Sequence, residues 1–365
     1  MAESTNPLAA MKLKKLTGFK QITPGVITGN VITALKQCGI DMVLGYNTAN
    51  SEFSIGSMSV LGNTFYGLKV STPAGRKSVG SLALTLTKDT GDLKNKAIQV
   101  GFRLTQSAIN SPGTQLFDFF AGSVLSVNAP VNAEDASAYY EAVITTENTL
   151  NYRPGIVARV YVNKQMITMA ACPFYADKPV LLRIPGSNLL TDMNAGFSYM
   201  MGDMYVAELD YNSDGTVTPQ LLGNLTLEPF TVASYTGDKH TNTKNQDIVT
   251  ALNTLDPNND MGALAIKPVE QPASVTFNAP DIAGKSIYGA SLNIVYKDSI
   301  APNNRLNYQI TEGTTQLPAE TITTRNADIT GYTTFSKILI TPANGVDWNA
   351  ENLKFKLDLI NKGAE

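Results

Sequence analysis

The sequence predicts an all-β protein, on three observations. From about Met42 onward the apolar residues recur with period two, not 3.6. Short alternating segments are separated by turns rich in Gly and Pro. No heptad run or internal repeat is present. Many short strands punctuated in this way make a sandwich or barrel, since βαβ units would need helical patterns between strands. With 365 residues the chain has room for roughly two domains.

Residues 1–24 read as an extended arm. The first ten are small and polar, and Lys12, Lys14, Lys15 and Lys20 then alternate with Leu13, Leu16 and Phe19. The arm carries these four lysines against a single acid, Glu3. A frayed terminus and a basic arm that docks on a neighbouring subunit are the two readings. A short helix is expected at 31–37, ending at Cys38-Gly39, because Gly commonly follows a helix. Segment 27–33 is equally compatible with a strand.

Segment 81–87 places Leu82, Leu84 and Leu86 on one face. Segment 98–104 does the same with Ile98, Val100, Phe102 and Leu104, the mark of strands packed on one side. Further strands are expected at 115–120, 139–145, 156–162, 178–184, 202–209 and 221–227, with turns at 110–113, 153–155, 185–186 and 214–215. Polar clusters fill 236–262, which reads as a linker with one helical turn at 248–252. Alternation resumes at 274–277, 287–297, 306–310, 338–340 and 355–359. The expected organisation is therefore an arm (1–24), a larger β domain (25–235), a linker (236–262) and a smaller β-rich domain (263–365).

Composition narrows the function. Charged residues are 16% of the chain, against about 25% in typical soluble domains. A formal charge of −3 supplies no field for gripping nucleic acid or an anionic membrane. No apolar run approaches the roughly 20 residues of a membrane span, and no secretory leader is expected at the polar start. One His excludes a His-pair metal site. Cys38 and Cys172 make no disulfide framework and read as buried free thiols.

The sharpest local motif is Asp210-Tyr-Asn212-Ser-Asp214-Gly215, the first half of a calcium loop. Its twelfth position is Leu221, not Glu, and its flanks read as strands, which excludes an EF-hand. A loose calcium loop and a hairpin with an Asp-Gly turn remain as readings. Asp256-Pro-Asn-Asn-Asp260 lacks the Gly and a late acid. His240 lies in a polar loop, with no G-x-S-x-G elbow anywhere, and reads as solvated. Gly75 to Gly80 lacks P-loop spacing. Tyr152, Tyr175, Tyr199 and Tyr211 are candidates for stacking on a sugar. Glu141, Glu147 and Glu208 are scattered, without the paired arrangement glycoside cleavage needs.

The run Tyr139-Tyr-Glu-Ala-Val-Ile-Thr followed by Ile156-Val-Ala-Arg-Val-Tyr-Val-Asn163 resembles the central strands of concanavalin A-like (laminin G-like) jelly rolls. Gly202-Asp-Met-Tyr-Val206 and Leu222-Gly223-Asn-Leu-Thr-Leu-Glu-Pro229 resemble the form of that domain found on tailed-bacteriophage virion proteins. The resemblance covers about residues 40–360. It implies a jelly-roll sandwich followed by a strand-rich tail. In that tail 283–297 would pair with 308–310, and Tyr332 to Leu353 would close the domain with an aromatic strand, a Pro turn, then Trp348 and a short helix. One departure is Lys164, where the family pattern usually has Gly. The arm has no counterpart in the pattern.

The resemblance implies a non-enzymatic virion component, assembled in the host cytoplasm, with copies of itself and other virion proteins as partners. It implies no cofactor beyond the calcium reading at Asp210, Asn212 and Asp214. Lys12, Lys14, Lys15 and Lys20 would be the docking residues. The alternative is an adhesin whose jelly roll binds a host surface glycan, and a third, weaker class is a polysaccharide-cleaving enzyme.

Overall fold

A computed structural model describes residues 6–47, 51–60, 62–75, 80–106, 117–127, 137–149, 151, 154–186, 197–268, 271–296, 304–323, 332–345, 347–349 and 352–364. The chain divides into two units, one of Met1–Phe19, Pro24–Ile32 and Asp41–Leu227, the other of Lys20–Thr23, Thr33–Ile40 and Glu228–Glu365. The expected helix forms as α1 (Val31–Gln37) and stops before Gly39, whose φ of 83° is left-handed.

The first unit holds β1 (Lys12–Thr17), β2 (Gly25–Val26), β3 (Val43–Asn47), β4 (Glu52–Val60), β5 (Asn63–Thr72), β6 (Ser81–Thr87) and β7 (Lys96–Gln106). It continues with β8 (Asp118–Ala121), β9 (Val124–Leu125), β10 (Ser137–Glu147), β11 (Gly155–Val162), β12 (Gln165–Pro173), β13 (Val180–Ile184) and β14 (Phe197–Asp210). One antiparallel sheet runs β12-β11-β10-β7-β14-β5-β4-β2. The long β14 pairs with β5 along Phe197–Met201 and with β1 along Met204–Glu208. The second sheet runs β3-β6-β13-β8-β9. The unit is a β-sandwich, one of the two forms the alternation predicts, and is jelly-roll-like, as the resemblance implies.

The alternation also selects the core. Val100 and Phe102 of β7 and Tyr140 and Ala142 of β10 are buried on one face, with Leu82, Leu84, Phe119, Leu182 and Ile184 buried in the facing sheet. Phe117 bridges the layers, with ring centroids 5.0 Å from Phe102, 4.9 Å from Tyr140 and 5.9 Å from Phe119. The Tyr199 hydroxyl spans the sandwich to the carbonyls of Gly80 and Ile184 at 3.0 and 2.9 Å.

The second unit holds β15 (Thr231–Thr236), β16 (Thr241–Asn242), α2 (Ile248–Asn253), β17 (Leu264–Ala265), β18 (Ala273–Asn278), β19 (Ala290–Tyr296) and β20 (Asn304–Glu312). β21 (Thr315–Gln316), β22 (Glu320–Thr323), β23 (Thr333–Leu339) and β24 (Phe355–Ala364) complete it. Its main sheet runs β15-β18-β24-β20-β21, with β22 also on β20. The β19-β23 ribbon lays Leu292, Ile294, Phe335 and Leu339 against the main sheet's Ala273, Tyr308, Ile310, Leu357 and Leu359. Trp348 is buried with Ala290 and Leu353, and its indole N–H donates to the Ile340 carbonyl at 2.9 Å.

Five expectations need correction. Residues 12–17 are a strand of the first unit's own sheet, because Leu8, Met11, Leu13 and Phe19 bury their side chains and hold the segment down. Segment 236–262 contains β16 and α2 and belongs to the second unit, whose first strand is β15. Asp247 caps α2 by accepting from the Thr250 N–H at 2.8 Å. β19 pairs with β23, and the partners of β20 are β21, β22 and β24. No helix follows Trp348 among the described residues. There Asn349 and Asn352 each accept from the other's backbone N–H, closing a turn in its place. His240 is buried, not solvated: Nδ1 accepts from the Lys267 N–H at 3.2 Å, which leaves Nε2–H to donate to the Gln271 carbonyl at 2.9 Å.

No described helix is long and apolar enough to cross a membrane. Truncating the bridging ring, Phe117→Ala, is expected to lower the stability of the first unit by about 3–5 kcal/mol. Denaturant unfolding followed by near-UV circular dichroism checks this.

Candidate functional site

The odd positions of β7 and β10 face away from the sandwich core, and most of them are polar. Gln99, Gly101 and Arg103 of β7 stand beside Tyr139 and Glu141 of β10 on one side. On the other side stand Asp203 and Tyr205 of β14. Glu141, Gly101 and Tyr205 form one row across the three strands, since Glu141 registers with Gly101 and Gly101 with Tyr205. The glycine is required there. A Cβ at Gly101 would stand 2.1 Å from the Tyr205 ring, which lies across β7 so that its hydroxyl donates to Glu141 Oε1 at 2.6 Å. The register of β14 shifts between Gly202 and Tyr205, and Asp203 within that bulge has a left-handed φ of 42°.

Residues 220–227 lie over this polar face as an extended strap. Periodicity predicts a strand at 221–227, but the segment joins no ladder. Its backbone binds side chains instead. Gln220 N–H donates to Gln99 Oε1 and Gln99 Nε2 donates to the Gln220 carbonyl, both at 2.9 Å, so the side-chain amide imitates a neighbouring strand. Glu141 accepts from the Leu222 N–H at 2.8 Å and the Gly223 N–H at 2.9 Å. Two successive N–H groups aimed at one carboxylate form an anion nest, and Gly223 supplies the positive φ, 81°, that such a turn uses. Arg103 donates to the Leu225 carbonyl at 3.1 Å and to the Asn224 side chain. Asp203 Oδ1 accepts from the Leu227 N–H at 3.1 Å.

The charges in this clasp are buried and paired. Glu141 is 2% exposed and Arg103 4%. The Arg103 guanidinium lies 4.3 Å from the Phe65 ring centroid and 3.4 Å from the Asp203 carboxylate. Burial pushes the Glu141 carboxyl above its ordinary range, against the opposing pull of the Tyr205 hydroxyl, the two strap N–H groups and the Lys164 ammonium. Burial also drives the Tyr205 and Tyr139 phenols well up, reinforced by the nearby Glu141 charge. Both phenols therefore stay protonated near neutral pH, as donors: Tyr205 to Glu141, and Tyr139 to the Asp203 carbonyl at 3.1 Å.

Lys164 stands where the resemblance implies Gly, and the structure gives it a role. Asn163 and Lys164 form the two-residue turn between β11 and β12, with φ of 49° and 65°, values that a type I′ turn requires and that Gly adopts most readily. A lysine here accepts that backbone cost and brings its cation toward Glu141. Its Cε stands 3.2 Å from where a Cβ on Gly223 would be.

The other candidates fall elsewhere. Asp210 pairs with Lys96. Asn212 Nδ2 donates to the Thr216 hydroxyl at 3.0 Å, and Asp214 accepts from the Thr216 N–H at 2.9 Å and from its hydroxyl. Each side chain of the calcium reading thus has its own partner, Asp210 across the β14–β7 ladder and the other two within the turn. Among the described residues, no group of three or more His, Cys, Asp or Glu is arranged to hold a metal. The docking lysines meet this chain's own acids: Lys12 and Lys14 reach Glu208 at 3.8 and 2.7 Å, Lys15 reaches Asp41 at 2.6 Å and Lys20 reaches Glu228 at 2.6 Å. Tyr199 is buried, and the Tyr211 hydroxyl donates to the Leu93 carbonyl at 2.6 Å. Tyr175 is exposed, while Tyr152 lies outside the described residues. Cys38 and Cys172 are buried free thiols, their pKa values raised by burial to about 12 and about 11.

No protein-family model and no curated protein matches the sequence. Solved structures do. The alginate lyase Aly36B matches with a TM-score of 0.35 and 8% identity over 52% of this chain and 95% of that one. The cellulose induced protein Cip1 matches with a TM-score of 0.28 and 10% identity over 46% of this chain and 88% of that one. The tandem CBM22 domains of Paenibacillus barcinonensis Xyn10C match with a TM-score of 0.25 and 10% identity over 100% of this chain and 93% of that one. These proteins are an enzyme in one case and carbohydrate-binding modules in another, and none assigns a role to a residue of this chain.

Sequence reasoning missed Gln99, Arg103, Glu141, Asp203 and Tyr205 as a group. The available signal was polar residues at the outward positions of strands that otherwise read as core. Removing the carboxylate, Glu141→Ala, strands two buried strap N–H groups and a buried phenol. It is expected to cost about 3 kcal/mol or more in denaturant unfolding. The folded carboxyl titrates above its unfolded value of about 4.3. Its favourable contribution is therefore full below that value and declines as pH rises through the folded one. The stability of wild type relative to Glu141→Gln should accordingly rise as pH is lowered from the folded value toward the unfolded one.

Proposed function

We propose that the chain is a non-enzymatic structural component of a tailed-phage particle, acting through contacts between protein subunits. The observation that carries the reading is the strap: the polar sheet face, where acids and aromatics gather, is filled by residues 220–227 of the same chain. Glu141 spends both oxygens on the strap and on Tyr205, so it is committed to holding structure. The resemblance of strand order over about residues 40–360 supplies the phage assignment. The low charge supports close association of many copies, since a formal −3 per chain generates little mutual repulsion.

An enzyme or a glycan site on this polar sheet face would require the strap to leave. That would expose Gln99, Arg103, Glu141 and Asp203 at the cost of every hydrogen bond described above. The exposed Tyr175 offers a glycan one aromatic face without such opening.

Quantitative mass spectrometry and antibody labelling of purified particles test the proposal. The protein is expected at a fixed copy number in intact particles, and the purified chain is expected to give no signal on a glycan array. Absence from particles, or glycan binding that Tyr175→Ala abolishes, would overturn it.

A further inference from the structure

The strand β12 is the outer edge of the long sheet, paired with β11 alone among the described residues. It is nine residues long, about 30 Å at the usual rise per residue. Natural edges of this length are protected by charge, interior Pro or an outward bulge. β12 reads Gln165-Met-Ile-Thr-Met-Ala-Ala-Cys-Pro173, with no charge and with Pro only at its end; its single bulge falls near its start, at Ile167, and leaves Thr168 to Pro173 in a regular ladder on β11. At the other end of the same sheet, β2 is two residues long and its neighbour β4 carries Glu52. The large apolar side chains exposed among the described residues are Val26, Leu44, Met166, Ile167, Met169 and Tyr175. Half of them lie on β12, and Tyr175 follows two residues after it.

We propose that β12 is an assembly edge whose occupant is the β12 of a second copy of this chain, paired antiparallel about a two-fold axis at Met169. This rests on the reading above, that the chain works through contacts between subunits, and it names the surface. The strand is complementary to itself in that register. In the regular part of the strand Thr168 stands opposite Ala170, larger against smaller, and Met169 meets Met169, while Ile167, in the bulge, comes over Ala171. No charge faces a like charge across the seam. The nearest cation, Arg159, registers with Met169 on β11 and is already held by Glu147, to which Nη2 donates at 2.8 Å. Such an interface is isologous and closes on itself as a dimer, covering the apolar edge.

The test uses the full chain and two kinds of variant. Sedimentation velocity across a dilution series is expected to show a concentration-dependent dimer. The double substitution Ile167→Lys with Met169→Lys, at exposed positions, is expected to raise its dissociation constant about tenfold or more. Circular dichroism checks that this variant folds. Met169→Cys places two thiols across the axis, where antiparallel Cα pairs stand about 4.5 or 5.5 Å apart, within disulfide reach. Under mild oxidation it is expected to form covalent dimers faster than Leu44→Cys, an exposed residue of β3. The buried Cys38 and Cys172 leave that comparison clean.

A wild type that assembles, with neither the lysine pair weakening it nor Met169→Cys linking faster than the control, overturns this edge and leaves subunit contact standing. A wild type that stays monomeric at every concentration overturns the proposal and removes self-contact from the broader reading. A monomer that captures another particle protein, with capture abolished by the lysine pair, gives the edge to that partner and overturns the second copy as occupant.

Discussion

A carboxylate taken out of water must be matched by donors, and in the first unit that demand organises much else. Glu141 sits on the outward face of a central strand, where solvent would ordinarily serve it. Here the strap excludes the solvent and replaces it with two backbone N–H groups and a phenol. Each replacement imposes a condition. The phenol needs Gly101 beneath its ring, the paired N–H groups need Gly223 in a left-handed turn, and the strap's remaining backbone groups need Gln99, Arg103 and Asp203 in place. A buried ion contributes little net stability by itself. Its effect is specificity: alternative seatings of residues 220–227 would leave Glu141 or the backbone unmatched.

Arg103 shows the same logic with the opposite sign. Its guanidinium lies against the Phe65 ring, beside Asp203, and donates to the strap. Asp203 reaches it only because β14 bulges, and the bulge keeps Tyr205 in register with Gly101 although Gly202 registers with Arg103. The backbone irregularity and the buried charges are therefore one arrangement. Surface pairs such as Lys12 with Glu208 are of a different kind. They are exposed to solvent and worth a few tenths of a kcal/mol to about 1 kcal/mol each, and burial of Leu13 and Phe19 does more to seat that segment.

Much of the fold was legible in the sequence, and the limits have physical causes. Alternation at 81–87 and 98–104 identified strands and their core-facing sides, because apolar side chains on that face leave a period-two trace; it did not show that the polar face of β7 is buried as well. Gly39 marked the end of α1. Alternation does not encode which strands are neighbours, so the clasp stayed invisible: Arg103, Glu141 and Tyr205 are far apart in sequence and meet only when β14 inserts between β7 and β5. The strap misled for a related reason. An extended segment shows the same alternation whether its backbone pairs with another strand or with side chains. His240 misled because a polar neighbourhood in sequence folded into a buried one, where a carbonyl and an N–H took the place of water.

The strap also bears on how the first unit assembles. Its partners are remote along the chain, 121 residues away for Gln99 and 81 for Glu141, while Asp203 is only 24 residues from Leu227. No early local contact can satisfy it. It can close only after β7, β10 and β14 stand side by side in the correct register, and contacts of such separation form slowly. The segment thus works as a completion check on strand order: a misthreaded sheet offers no site where all of its buried groups find partners at once.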